Sequence, residues 1–257
     1  MNEISQYYNV ESNATRAAWL VGRCTGSKWT LHSIVPEGFA SYVRILHPAW
    51  SAKSLDPNDE KAWRQLRSGW REAEDLKPIR WDETAAKNNH VTHRAMQWFD
   101  ICSRTVREPG MAGVDPPLEG TITPKMVEGL FEILIGHSGE SQEILCGFWE
   151  GCTQDFSSQT KAQFRRNVGI TYNLFNTTLA GARDSWLAAN EYSSKNHGIG
   201  TNGLIPNIIW PTTQDWHLTV DFNLFSTNIG GSTYLIDSIR DADDLETYEA
   251  LAGDNIF

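Results

Sequence analysis

The order of segments along the chain predicts an α+β fold, in which helices cover a mixed, largely antiparallel sheet. Three observations carry this expectation. Helical and strand-like periodicities are intermixed, without the regular alternation of a doubly wound repeat. Apolar runs are joined by short turns such as Pro36-Glu37-Gly38, which suit a hairpin. The run Trp216–Phe225 alternates apolar and polar residues, the pattern of a half-solvated strand.

In chain order, Asn13–Leu20 reads as a short helix, with Asn13 as its cap and Ala17, Ala18, Trp19 and Leu20 as its body. Trp29–Val35 is expected as a strand. It pairs across the Pro-Glu-Gly turn with Phe39–Leu46, which His47-Pro48 closes. Ser51–Pro78 is polar with Trp63, Leu66 and Trp70 on one stripe, so a helix is expected there. Asp82 or Thr84 is placed to cap a further helix within Arg80–Trp98. Thr105–Thr123, with Gly110, Gly113, Pro116, Pro117 and Gly120, is the clearest loop. The segment after it continues the core. Residues 1–257 are therefore read as a single domain with a Gly/Pro-rich internal loop near 106–122.

Thr123-Pro124 opens the strongest helix signal: cap, first-turn proline, then Val127, Leu130, Phe131, Leu134 and Ile135 on one face, with Gly136 as a stop. Glu143–Trp149 is an apolar strand. A helix follows over about Ala180–Tyr192, then a Ser/Asn/Gly loop over Ser193–Pro206 and a short apolar piece at Ile208–Trp210. After the alternating strand, Asn228–Gly231 is expected to turn. Ser232 then caps a last helix carrying Tyr234, Leu235, Ile236 and Ile239.

Composition narrows the function classes. Of 257 residues, 40% are hydrophobic and 21% charged, so the chain folds around a sizeable core. No apolar run reaches membrane-spanning length, and Met1–Val10 has neither the basic start nor the apolar core of a secretory signal. A cytoplasmic protein without a membrane partner is expected. The net charge of -10 argues against direct nucleic-acid binding. From Asp237 onward there are seven acidic residues and one basic, so this tail is expected to be solvated or to face a basic partner. Four cysteines occur without a CxxC pair, which points to reduced thiols and to neither a metal site nor a cofactor. The eleven tryptophans are mostly core, with one or two available to a groove or interface.

Several stretches resemble a family of hypothetical actinobacterial cytoplasmic proteins of unknown function. They are VPEGFASYVRILHPAW (Val35–Trp50), RWDETA (Arg80–Ala85), GLFEILIGHS, CGFWEG (Cys146–Gly151) and PNIIWPTTQDWHLTVDFNLFSTNIGGS (Pro206–Ser232). That resemblance implies no activity and no site residues. The W-P…W arrangement late in the chain is faintly similar to SMI1/KNR4-like domains, a likeness that implies protein binding. Here the tryptophan-rich piece lies near the end of the chain rather than its start.

Candidate chemistry is sparse. His47, His137 and Glu150 are the candidate catalytic residues: histidines suit proton transfer near neutral pH, and a carboxylate would assist. His137 stands in G-H-S-G-E, which is not a nucleophile elbow. His90 and His93 would share one helix face, but no third metal ligand is evident. Arg44, Trp149, Trp210, Trp216, Asp221 and Asn228 are the candidate binding residues, since tryptophans can line a groove or interface and carboxylates beside aromatic rings are compatible with sugar chemistry. The Asn228–Ser232 turn is a weak candidate for cradling an anion at a helix start, and Lys161, Arg165 and Arg166 form a small basic cluster. No constellation outweighs ordinary structural roles. The expectation is a protein-binding or regulatory protein, with a protein partner or self-association. The alternative is a hydrolase-like small-molecule enzyme using histidine and carboxylate acid/base chemistry, and whether the chain is an enzyme at all is left open.

Overall fold

The computed structural model describes residues 5–28, 30–52, 76–102, 114–151, 162–166, 169–195 and 204–256. Its strands are β1 (Asn9–Val10), β2 (Ser41–Leu46), β3 (Ala49–Ala52), β4 (Leu76–Ile79), β5 (Val114–Asp115), β6 (Glu143–Trp149), β7 (Gln163–Arg165), β8 (Thr171–Thr178), β9 (Ile208–Pro211), β10 (His217–Val220), β11 (Ser226–Gly231) and β12 (Thr247–Glu249). Its helices are α1 (Ala18–Arg23), α2 (Trp81–Lys87), α3 (Trp98–Ile101), α4 (Pro124–Ser138), α5 (Leu179–Lys195) and α6 (Thr233–Arg240). The main sheet runs β1-β8-β6-β9-β10-β11-β2-β12, with β7 also on β8, and a second sheet runs β4-β3-β5. All of these pairings are antiparallel. The fold is α+β, as the order of segments predicts.

The strand alternation sorts side chains onto two faces. Val43, Ile45, Ile144, Cys146, Phe148, Phe175, Ile209, Leu218, Val220 and Ile229 point to one face. The apolar stripes of α4, α5 and α6 cover it with Val127, Leu130, Phe131, Leu134, Leu179, Trp186, Leu235, Ile236 and Ile239. Trp186 meets Phe131 edge to face at 5.0 Å. Each such side chain contributes about 1.5–3 kcal/mol through burial, so this layer holds most of the fold's stability. The opposite face carries Leu145, Leu174, Ile208 and Trp210, packed under Ala17 and Leu20. Toward β2 that face becomes polar.

Local signals explain most elements. Asn13 caps a 3-10 turn, Ala14–Ala17, that runs into α1. Thr123 caps α4 by accepting the Met126 N–H at 3.4 Å, and Pro124 fills its first turn. The stop is Gly139 rather than Gly136. Gly139 has a φ of +86°, which glycine adopts without strain, and its N–H bonds Ile135 O at 2.7 Å. Ser232 caps α6 through the Leu235 N–H at 3.2 Å.

Four expectations are corrected. Residues 31–33 form a 3-10 turn, not a strand, held by Ser33 Oγ donating to Thr30 O at 2.7 Å. Both edges of β2 are already taken, by β11 and β12, which leaves no place for that hairpin. Asn228–Gly231 does not turn but completes β11. A Cβ on Gly230 would lie 2.5 Å from Phe39 Cδ2, so its glycine serves close packing rather than a turn. Strand β10 is buried on both faces, because residues 31–35 roof its polar side and Thr219 Oγ1 donates to Ile34 O at 2.9 Å. The predicted helix over 51–78 is replaced at both described ends by β3 and β4. Trp63, Leu66 and Trp70 lie outside the described residues.

Helix α2 begins at Trp81 without help from Asp82 or Thr84. Its cap arrives from the far end of the chain. The Glu246 carboxylate accepts Trp81 N–H at 2.7 Å and Asp82 N–H at 2.9 Å. Asp254 pairs with Arg94 at 3.0 Å, so the acidic tail is partly drawn into the fold. Replacing Glu246 with alanine is expected to cost about 2 kcal/mol, read from urea unfolding, with Glu246→Gln recovering part of the loss. Among the described residues no helix is long and apolar enough to cross a membrane.

Candidate functional site

The second sheet packs beside β2 and β12, at one end of the main sheet, and leaves a groove of about 520 Å³. Leu46, Pro48, Trp50, Pro78 and Ile79 give it an apolar floor. Its rim comes from Arg80 and Glu83 of the α2 region, from Thr123–Met126 at the start of α4, and from Asp243, Asp244 and Glu246 between α6 and β12. The rim charges are unequal. Lys125 pairs with Asp244 at 2.6 Å and Arg80 with Asp82 at 3.2 Å. Glu246 spends its oxygens on α2. Glu83 and Asp243 take part in none of the ion pairs among the described residues and stay exposed. Burial raises the Glu246 pKa, against the two backbone N–H groups that lower it.

A second polar region is closed rather than open. On the polar face of the main sheet, Arg44, Asn228 and Thr219 stand opposite one another across β2, β11 and β10, with His217 two residues from Thr219. All four are buried. Arg44 donates to Ser226 Oγ at 3.0 Å, Met96 O at 2.7 Å and Gln97 Oε1 at 3.3 Å, and lies over the Trp81 ring at 5.6 Å. Burial lowers its pKa to about 10, so it remains a cation. Arg166 is also buried and donates to Cys24 Sγ at 3.3 Å and Ser33 O at 2.8 Å.

The residues expected to be catalytic do not come together. His47 follows β2 and Glu150 follows β6, and three strands lie between those two. At about 4.8 Å per strand this separates them by roughly 19 Å. His47 is buried with both ring nitrogens engaged. Nδ1 donates to Leu118 O at 3.1 Å, so Nε2 is the acceptor for the Thr227 hydroxyl at 3.0 Å. Burial pushes its pKa down to about 4, and neighbouring Arg44 adds to this. Glu150 is exposed, and His137 stacks on Tyr234 at 6.4 Å beyond the other face of the sheet. His90 and His93 do not share a helix face, because α2 ends at Lys87.

The expected binding residues are mostly interior. Trp210, Trp216, Asp221 and Asn228 are buried, so none of them presents a surface to a protein partner. Trp216 donates its indole N–H to Ser138 Oγ at 3.0 Å. Asp221 accepts Asn223 N–H at 2.9 Å, and burial raises its pKa. Trp149 is half-buried and stacked on Phe222 at 4.1 Å. The Asn228–Ser232 segment is strand leading into a capped helix and offers no open cradle. Of the basic cluster, Arg166 is interior, and Lys161 lies outside the described residues. Sequence reasoning missed Trp50, Arg80, Glu83 and Lys125, which sit far apart in the chain and meet only around the groove. The acidic bias after Asp237 did signal Asp243 and Asp244.

The fold and the groove define an antiparallel α+β protein with an acidic-rimmed cleft. Comparison of the chain with protein-family models, curated proteins and solved structures gives no match.

Proposed function

We propose that the chain is a protein-binding module of regulatory type, and that the groove beside β3 and β4 receives a basic, apolar-anchored segment of a partner. The observation that carries this is the groove's make-up: an apolar floor of Trp50, Pro48 and Pro78 under a rim whose charges outside the ion pairs among the described residues are carboxylates. Tryptophan in a partly open cleft is the residue type that anchors interfaces. Lysine or arginine facing Glu83 and Asp243 adds up to about 1 kcal/mol per exposed pair, and this attraction weakens with salt. In the order β4-β3-β5, β4 lies at the edge of its sheet, and Pro78 and Ile79 of β4 line the groove. An extended segment would lie along it naturally. The enzyme alternative draws no support from the separated positions of His47, His137 and Glu150.

The test is fluorescence anisotropy of the full chain with a labelled Lys/Leu-alternating nonapeptide and its Glu/Leu counterpart. The basic peptide is expected to bind, with Trp50→Ala weakening it at least tenfold. The double reversal Glu83→Lys/Asp243→Lys should transfer preference to the acidic peptide. Equal binding of both peptides, or indifference to Trp50→Ala, would sink the proposal.

A further inference from the structure

One cation on the groove's rim stands where its own helix disfavours it. Lys125 is the second residue of α4, and the first turn of that helix carries no acidic residue. The helix dipole is positive at this end, so a carboxylate would stabilise α4 here and a lysine opposes it. A residue that breaks a local rule points to a role outside its own element. What holds Lys125 is Asp244, whose carboxylate lies 2.6 Å from Nζ. Both residues line the groove. Arg80, the other cation of the rim, pairs instead with Asp82, which is not a lining residue. Among the described residues, Lys125–Asp244 is thus the ion pair formed wholly within the rim.

The two partners are held with unequal firmness. Asp244 precedes Leu245, which is buried in the main core and donates its N–H to Ala242 O at 3.1 Å. Asp244 Cβ also lies 4.0 Å from where a Cβ on Gly129 would stand, so it packs on α4 one turn beyond Lys125. The acid is therefore fixed by packing, without help from the lysine. Lys125 has only its flexible four-carbon stem, and its side chain is 72% exposed against 51% for Asp244. An ion pair this open to water contributes little and is readily exchanged. Glu83 and Asp243 are exposed and outside the ion pairs among the described residues. The rim thus offers two open carboxylates and a third that Lys125 covers.

We propose that Lys125 is a built-in competitor for the groove's ligand. In the unbound chain its ammonium occupies the place at Asp244 that a basic residue of the partner takes on binding, and Lys125 then swings out to solvent. This rests on reading the groove as the site of a basic, apolar-anchored segment. It adds a selectivity that the apolar floor does not supply. A segment with a single cation meets Glu83 or Asp243 and feels Lys125 as a like charge. A segment with several cations gains Asp244 as well by displacing Lys125. Partner choice is thereby shifted toward multiply basic segments.

The experiment is fluorescence anisotropy of the full chain at low salt with the labelled Lys/Leu-alternating nonapeptide. Lys125→Met keeps the stem and removes the charge, and should tighten binding about three- to fivefold. Lys87→Met removes the same charge at the end of α2, outside the groove lining, and should change affinity by less than about twofold. In an Asp244→Asn background the gain from Lys125→Met should also shrink below about twofold, because no carboxylate is released. Equal gains in the two backgrounds, or an equal gain from Lys87→Met, would show simple charge repulsion and overturn the proposal. Weaker binding by Lys125→Met would overturn it too, by making Lys125 a contact of the partner. Peptide binding that needs Trp50 but ignores Lys125→Met removes this inference alone and leaves the groove reading standing. Peptide binding to none of these chains removes both.

Discussion

Arg44→Ala is expected to lower the free energy of unfolding by about 3–5 kcal/mol, the largest loss for any single side chain considered. The reason is where Arg44 stands. It projects from β2 into the polar face and reaches Ser226 on β11, Met96 O and Gln97 on the segment leading into α3. Its guanidinium also covers Trp81 at the start of α2. One side chain thus joins the main sheet to the layer formed by α2 and α3. Truncation leaves the Met96 carbonyl without that donor and opens a cavity beneath Trp81. Both effects act in the same direction. Arg44→Met separates them, because it refills the volume without restoring the hydrogen bonds. Urea unfolding should place it between wild type and Arg44→Ala, at a loss of about 2 kcal/mol. If Arg44→Met matches wild type, the hydrogen bonds contribute nothing net and Arg44 is a space-filler.

How much of this was legible beforehand follows from the range of each signal. Short-range chemistry was readable: Thr123-Pro124 and Ser232 state a helix start within four residues, and both caps form. Glu143–Trp149 is apolar enough to be recognised as strand β6 without its neighbours. Long-range substitution was not readable. Glu246 caps α2 from a distant part of the chain, so Asp82 and Thr84 were plausible yet unused. The alternation correctly separated two faces over Trp216–Val220, but the strand ends there, and Leu224 packs with Leu31, Ile34 and Val35 rather than with Leu218 and Val220. It could not say that residues 31–35 would roof the polar one, and so His217 and Thr219 were read as solvated. The same blindness affects the candidate sites. The tryptophans near the end of the chain signalled recognition, but Trp210 and Trp216 went to the interior. Trp50, in an unremarkable stretch, lines the groove because β3 pairs with β4 and β5.

Acidification provides the second large effect, and its sign follows from His47. In the folded chain burial, with a smaller contribution from Arg44, holds His47 at a pKa of about 4, below the ordinary value of 6.5. Above pH 6.5 neither the folded nor the unfolded state protonates it. As pH falls from about 6.5 toward 4, the unfolded chain takes up a proton that the folded chain refuses, so stability is lost across that window. The full difference is about 3 kcal/mol. Burial lowers His217 too, and its contribution has the same sign. Asp221 and Glu246 act oppositely. Their pKa values are raised in the fold, so the cost of burying them as carboxylates is relieved as pH falls. That relief begins above the ordinary carboxylate range, so it opposes the histidines as the pH falls. The difference in slope between wild type and a variant that cannot titrate at position 47 therefore isolates His47. His47→Gln can still donate to Leu118 O and accept from Thr227, but it cannot titrate. Urea midpoints at pH 7.5, 6.5, 5.5 and 5.0 should fall steeply for wild type and less steeply for His47→Gln. Identical slopes would remove His47 from the account and leave His217 as the group that resists protonation.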